Sequence, residues 1–198
     1  CAALDPHLER PLREIVFAEP GSELAALLDQ TVYTQPALFA LQVALYRLVT
    51  SHIPAPDYLV GHSIGELTAA HLAGVLTLEN AATLVTTRGR LMQAAPTGGT
   101  MIAISADAAT VQLAIDHHHA NDTVNIAALN SPTNTVISGD HDAAAGIAAT
   151  LADAGFRTRT LKTSHAFHSP HMDSVLEEFR QVAETLTYQP PTIPIIST

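Results

Sequence analysis

The residues with the plainest chemical potential are Gly61-His62-Ser63-Ile64-Gly65-Glu66. They follow Tyr58-Leu59-Val60, an apolar run of the kind that builds a buried strand. They precede Leu67-Thr68-Ala69-Ala70-His71-Leu72-Ala73, rich in helix formers and closed by Gly74. Gly-x-Ser-x-Gly between a strand and a helix is the pattern of a nucleophile elbow. A serine hydroxyl is a weak nucleophile near neutral pH. A tight turn lifts it clear of the sheet to where a base can reach it, and the free N–H groups of the following helix can receive a developing oxyanion. The simpler alternative is that Ser63 only caps the helix. Glu66, in the first helical turn, suits the positive end of the helix dipole better than catalysis. His62 either lines the site or packs against the neighbouring strand.

The second concentration of chemistry is Ser164-His165-Ala166-Phe167-His168-Ser169-Pro170-His171, in a chain with 11 histidines. Three histidines at spacings of three could meet one metal ion, but Pro170 breaks the helix that would align them. No carboxylate or cysteine shares the pattern, so no metal is expected. The other use is as a base for Ser63, and a serine that precedes its histidine in the chain agrees with α/β-hydrolase order. His117-His118-His119, beside Asp116 and Asp122, reads as a solvated helix end.

The elements that must position these groups are predicted as follows. A buried helix runs over 36–52 and starts on Pro36, and a turn follows at Ile53-Pro54-Ala55-Pro56. After the strand, turn and helix around Ser63, another helix runs over 78–95 and is closed by Pro96 and Gly98-Gly99. From Met101 the pattern shortens: strand 101–104, helix 108–118, strands 124–129 and 135–138, Ala-rich helix 142–154, strand 157–161. This β-α-β-β-α-β order is the ferredoxin-like signature. Helix returns over 172–186. The fold expected is thus α/β, a hydrolase-like parallel-sheet core carrying the elbow with an inserted ferredoxin-like small subdomain. The large part is expected at 1–99 and 165–198 and the small one at 100–164.

Composition bounds the function classes. The 198 residues carry 9 Lys plus Arg against 19 Asp plus Glu, a net charge of −10, and Lys162 is the one lysine. A nucleic-acid binder needs a basic stripe to neutralise phosphates and is disfavoured. The charged fraction of 14% lies well below the usual level of about 25%, and the 47% apolar fraction supports a large core. Cys1, alone, cannot form an internal disulfide, and no apolar run spans a bilayer, so a cytoplasmic location is expected. The chain opens without Met and stops within Ile193-Pro194-Ile195-Ile196, as a piece of a longer protein would, truncated at both ends.

Several stretches together resemble one family, the malonyl-CoA:acyl carrier protein transacylases and in particular the acyltransferase domains of modular type I polyketide synthases. They are Thr34-Gln35-Pro36-Ala37-Leu38-Phe39-Ala40, Gly61-His62-Ser63-Ile64-Gly65-Glu66, Ala73-Gly74-Val75-Leu76, Arg88-Gly89-Arg90-Leu91-Met92, Asn130-Ser131-Pro132 and His165-Ala166-Phe167-His168-Ser169. The resemblance implies Ser63 as nucleophile, His168 as its base, the backbone N–H of Ile64 in the oxyanion hole and Arg88 as the clasp for a malonyl carboxylate. A planar, bidentate guanidinium suits that task, while the neighbouring Arg90 is expected to be a solvated helix arginine. The resemblance further places Met92, Asn130, Gln35, His62, His165, Phe167 and Ile64 at the acyl pocket. It implies no carboxylate behind the histidine. It also implies that a second oxyanion donor, from a Gly-Gln-Gly-type loop, precedes residue 1, and that a closing strand and linker follow residue 198.

The expectation from this resemblance is ping-pong acyl transfer through a seryl ester, from acyl-CoA to the phosphopantetheine thiol of an acyl carrier protein. No bound cofactor is expected, and the other domains of a synthase polypeptide join the carrier protein as partners. Phe167 and Ile64 resemble the malonyl-selecting form, whereas methylmalonyl-selecting relatives usually show Tyr-Ala-Ser-His and a Gln after the serine. One methyl group is worth only about 1–3 kcal/mol of discrimination. The alternatives are a methylmalonyl-selective enzyme, a thioesterase or other serine hydrolase with the same elbow, or a non-catalytic binding module. A hydrolase of neutral esters would not need Arg88.

Overall fold

The structure, a computed structural model, describes residues 1–197. The chain is α/β and divides into two compact units, 1–93 with 178–198, and 94–177.

In the first unit two short helices, α1 (Leu12–Val16) and α2 (Glu23–Ala26), lead to the long α3 (Thr31–Thr50). The short strand β1 (Leu59–Val60) then feeds α4 (Ile64–Leu72), and α5 (Leu78–Ala94) follows. The core joins Leu12, Phe39, Val43, Ile64, Leu76, Leu84 and Val85. Helix α3 starts at Thr31, five residues before the expected Pro36, and holds that proline inside. It is also not buried all round. Tyr33, Pro36, Phe39 and Val43 form its buried face, and the stripe of Leu38, Leu41, Leu45 and Leu48 is exposed, Leu41 by 63%. The helical period separates the two stripes, and the core takes only one of them.

The end of the chain returns to this unit. Gln189 N–H donates to Val75 O (3.0 Å) and Thr192 N–H to Ala73 O (2.7 Å). Strand β6 (Ile195–Ile196) then pairs in parallel with β1, Leu59 beside Ile195.

The second unit is a four-stranded antiparallel sheet with two helices. Its elements are β2 (Gly99–Ile104), α6 (Ala108–His117), β3 (Val124–Ser131), β4 (Asn134–Asp140), α7 (His141–Asp153) and β5 (Thr158–Thr160). The sheet order is β3-β4-β2-β5. Ile102, Ile104 and Ile137 meet Val111, Ile115, Ile147 and Leu151 of the two helices in its core. Each predicted strand and helix of this stretch is present, with no end moved by more than two residues. Helix α8 (Asp173–Glu184) begins in this unit and ends in the first.

Residues 165–177, expected with the larger part, cluster with this second unit instead. Local packing explains it. A Cβ on Gly99 would lie 2.4 Å from Ala166 Cβ and 3.1 Å from His171 Cε1, so the missing side chain lets this segment lie directly on β2. His171 Nε2–H also donates to Asp140 Oδ1 at the end of β4 (2.6 Å).

Candidate active site

Ser63 stands between β1 and α4 with φ 54° and ψ −112°, a conformation that non-glycine residues rarely adopt. The turn is closed by Gly65 N–H donating to His62 O and Glu66 N–H to Ser63 O, both 3.0 Å. Gly61 makes it possible: a Cβ there would meet the Gly65 carbonyl carbon at 2.2 Å and Glu66 N at 2.3 Å. Gly65, by contrast, has nothing within 4 Å of a built Cβ. The pattern Gly-x-Ser-x-Gly thus contains one glycine demanded by close backbone approach and one that is not. Ile64 is buried and opens α4, so its N–H belongs to the first turn, where amides lack intrahelical partners.

Arg88, on α5, reaches this serine: Nη2–H donates to Ser63 Oγ (3.1 Å) and Nη1–H to Gln35 Oε1 (2.5 Å). Gln35 is itself buried and fixed, its Nε2–H groups donating to Thr31 Oγ1 (2.9 Å) and Met92 Sδ (3.3 Å). Both side chains that Arg88 bonds are neutral. Burial pushes its pKa below the ordinary arginine range, because a guanidinium removed from water loses hydration that neutral partners only partly replace. A desolvated cation beside a serine hydroxyl, with neutral partners, is suited to receive an anionic group.

Helices α3 and α5 approach closely where this happens. A Cβ on Gly89 would lie 3.1 Å from Thr31 O and 3.2 Å from Val32 Cα. The pair Thr31 and Gln35 at i, i+4 places both side chains on one face of α3. Thr31 was not singled out by motif reading. That spacing, together with a glycine in the middle of α5, is the signal that could have found it.

The structure therefore brings together Ser63, Ile64, Arg88, Gln35 and Met92 within the first unit. His62 is exposed and lines a 550 Å³ groove with Tyr46, Val49, Ile53 and Thr68. Arg90 is exposed and pairs with Glu178 (2.7 Å), as a solvated helix arginine would.

His165, Phe167, His168 and Asn130 belong to the second unit. Asn130 is exposed on the β3–β4 hairpin. His168 is exposed with φ 59°, in a segment held by Ser169 Oγ–H donating to Ala166 O (2.6 Å). His165 is buried, its ring 6.0 Å from that of Phe167. Burial lowers its pKa, opposed by a backbone hydrogen bond involving Ala95. Its Nε2 is buried without a hydrogen-bond partner. The run His117-His118-His119 is exposed at the end of α6.

An elbow serine on an α/β framework, with an arginine donating to its hydroxyl, is an arrangement suited to acyl-group chemistry. Residues 2–198 match the model of the acyl transferase domain, and the chain belongs to that family. It is 50% identical over 196 residues to polyketide synthase GfsA of Streptomyces halstedii, an alignment covering 99% of this chain and 3% of that protein. Among solved structures it is similar to the acyltransferase domain from the second module of the salinomycin polyketide synthase, at 48% identity and a TM-score of 0.89. That match covers 99% of this chain and 44% of the solved one. The malonyl CoA-acyl carrier protein transacylase of Coxiella burnetii is similar at 32% identity and a TM-score of 0.89, covering 98% and 62%. The chain thus spans a small fraction of its curated relative and about half the length of these solved chains.

Proposed function

We propose that the protein moves an acyl group from coenzyme A, through an ester on Ser63, to the phosphopantetheine thiol of an acyl carrier protein, within a larger synthase polypeptide. The carrying observation is the Arg88 to Ser63 hydrogen bond, made by a half-buried guanidinium whose other partner, Gln35, is neutral. A hydrolase of neutral esters gains nothing from such a cation. An acyl group ending in a carboxylate gains a bidentate, charge-assisted partner next to the atom that carries it.

His168 is the base in this scheme, assigned on the His165-Ala166-Phe167-His168 motif. Its imidazole takes the Ser63 hydroxyl proton as Oγ attacks the thioester carbonyl. The oxyanion so formed is held by the Ile64 N–H. Collapse breaks the C–S bond, and the leaving thiolate takes the proton from His168. In the second half the imidazole deprotonates the carrier thiol, sulfur attacks the seryl ester, and the proton returns to Ser63 Oγ. Arg88 holds the acyl carboxylate throughout.

Malonyl is the proposed acyl group. Phe167 supports this, since its half-buried ring lies against the buried His165 and a fixed ring narrows a pocket. Ile64, Met92, Gln35, Asn130 and His62 complete the proposed acyl pocket. The antiparallel order β3-β4-β2-β5 supports reading the second unit as ferredoxin-like, and the parallel pair β1–β6 beside the elbow supports a hydrolase-like first unit. These two units are proposed as the small and large subdomains.

The test is intact-mass analysis after incubation with malonyl-CoA. One malonyl mass on Ser63, absent in Ser63→Ala and discharged by a phosphopantetheinylated carrier, is expected. Labelling of Ser63→Ala, or discharge to water as fast as to the carrier, would refute the assignment. Methylmalonyl-CoA in parallel measures the selectivity.

A further inference from the structure

Thr31 opens α3 and is buried, with its backbone against the middle of α5. A Cβ on Gly89 would lie 3.1 Å from Thr31 O, so the absent side chain lets the two helices touch one residue after Arg88. Packing alone would account for a buried residue at such a crossing. It does not account for the hydroxyl.

Arginine donates hydrogen bonds and accepts none, so only the oxygen of the Gln35 amide can face Arg88. Arg88 Nη1–H donates to that oxygen, Oε1, at 2.5 Å. Both Nε2–H groups are thereby turned to the opposite side, inside the protein, where an unmade hydrogen bond carries its full cost. Two acceptors meet them there among the described residues: Thr31 Oγ1 at 2.9 Å and Met92 Sδ at 3.3 Å. A thioether is a weak acceptor, so the threonine hydroxyl is the one strong partner of that end of the amide. Its β-branched side chain, one helical turn before Gln35, has few rotamers and keeps the oxygen in place.

We propose that Thr31 is a positioning residue: acting through Gln35, it holds the Arg88 guanidinium where that group selects acyl chains ending in a carboxylate, a proposal that rests on the acyl-transfer reading above. With the hydroxyl present, the amide offers Oε1 to one arm of the cation while the other arm reaches Ser63 Oγ at 3.1 Å. Without it, Gln35 keeps a buried N–H that lacks an oxygen acceptor. The amide then turns to find one, and Arg88 loses the partner that aims it. Aim matters because a guanidinium grips a carboxylate through two parallel hydrogen bonds of narrow geometry.

The experiment compares the unsubstituted protein with Thr31→Val, which keeps the shape and loses the hydroxyl, and Thr31→Ser, which keeps the hydroxyl and loses a methyl group. Single-turnover formation of acyl-Ser63 is followed against the concentration of malonyl-CoA and, separately, of acetyl-CoA. Thr31→Val is expected to raise the half-saturating malonyl-CoA concentration by about 5-fold and that of acetyl-CoA by less than about 2-fold, with Thr31→Ser within about 2-fold of the unsubstituted protein for both. A packing role predicts the reverse order, valine harmless and serine impaired, and that result would overturn the proposal. An equal change for the two thioesters in Thr31→Val would overturn it too. So would a smaller labelled fraction at an unchanged half-saturating concentration, the mark of a folding defect. A crystal structure of Thr31→Val adds a readout that needs no activity: Arg88 Nη2 is expected to have left Ser63 Oγ, and an unchanged contact refutes the positioning role. Failure of the unsubstituted protein to form any seryl ester would sink the acyl-transfer reading instead, and the crystal structure would then decide by itself whether Thr31 positions Arg88.

Discussion

Arg88 donates to Ser63 Oγ across 3.1 Å while its other arm is held by Gln35, whose amide is anchored in turn by Thr31 and Met92. The hydroxyl of the strained elbow and the half-buried cation are thus parts of one hydrogen-bonded unit. That unit joins α3, α5 and the turn before α4.

Arg88→Ala should remove a charge-assisted interaction with a malonyl carboxylate, worth about 1.5–3 kcal/mol, or roughly 10- to 150-fold in kcat/KM. Acetyl-CoA, which has no such carboxylate, should lose far less. Ratios of acylation rates for the two thioesters check this, and an equal loss for both would contradict the clasp.

Gln35→Glu should fold normally, since a carboxylate at this place pairs with the guanidinium. It should nonetheless lower malonyl acylation by about 10-fold or more, because the new charge satisfies Arg88 and repels the substrate carboxylate. Thermal unfolding together with acylation kinetics separates the two effects.

The two glycines of the elbow should respond differently. Gly61→Ala drives a Cβ into backbone at 2.2 Å and should cost about 3 kcal/mol or displace Ser63, whereas Gly65→Ala meets nothing within 4 Å and should cost under about 1 kcal/mol. Ser63→Gly should be more stable than Ser63→Ala by about 1 kcal/mol, because it relieves the strained backbone. Urea unfolding of the four variants provides the comparison.

His165 should make stability depend on pH. Burial depresses its folded-state pKa below the unfolded value of about 6.5. The unfolded chain therefore binds more protons just below pH 6.5, so this contribution is full above that pH and declines as pH falls toward the folded pKa. The stability difference between the protein and His165→Gln should shrink from pH 7.5 to 5.5, measured by urea midpoints. A difference independent of pH would contradict the shift.

Gly99→Ala should push the segment carrying His168 off β2, because its Cβ would meet Ala166 Cβ at 2.4 Å. With His168 as the proposed base, malonylation of Ser63 should slow by about 10-fold or more, since small misplacements of a catalytic group carry large costs. Stopped-time mass analysis reads the rate directly.

Much of the fold is legible in the residue order. Periodicity and punctuation locate α4, α5 and the whole β-α-β-β-α-β stretch, because each of these elements keeps its own period and ends at turn or capping residues, such as Gly74 after α4, Pro96 after α5 and Asp107 before α6. The boundaries of α3 were not legible. Its start at Thr31 lacks a capping side chain, and a proline inside a helix reads as a beginning. The association of residues 165–177 with the second unit was hidden for another reason. It depends on Gly99 meeting Ala166 and on His171 meeting Asp140, pairs far apart in the chain.

The sequence by itself determined the elbow and the histidine motif, because those are local patterns whose chemistry follows from residue type and spacing, while Arg88 became a candidate only through the resemblance to a family. Tertiary structure alone decided what Arg88 touches. Its bonds to Ser63 and Gln35 join residues 25 and 53 positions away. Its depressed pKa comes from burial that no window of sequence contains. The structure alone also separated Gly61, which cannot bear a side chain, from Gly65, which can. Steric exclusion is a property of atoms packed in space, and the two glycines look alike in the motif.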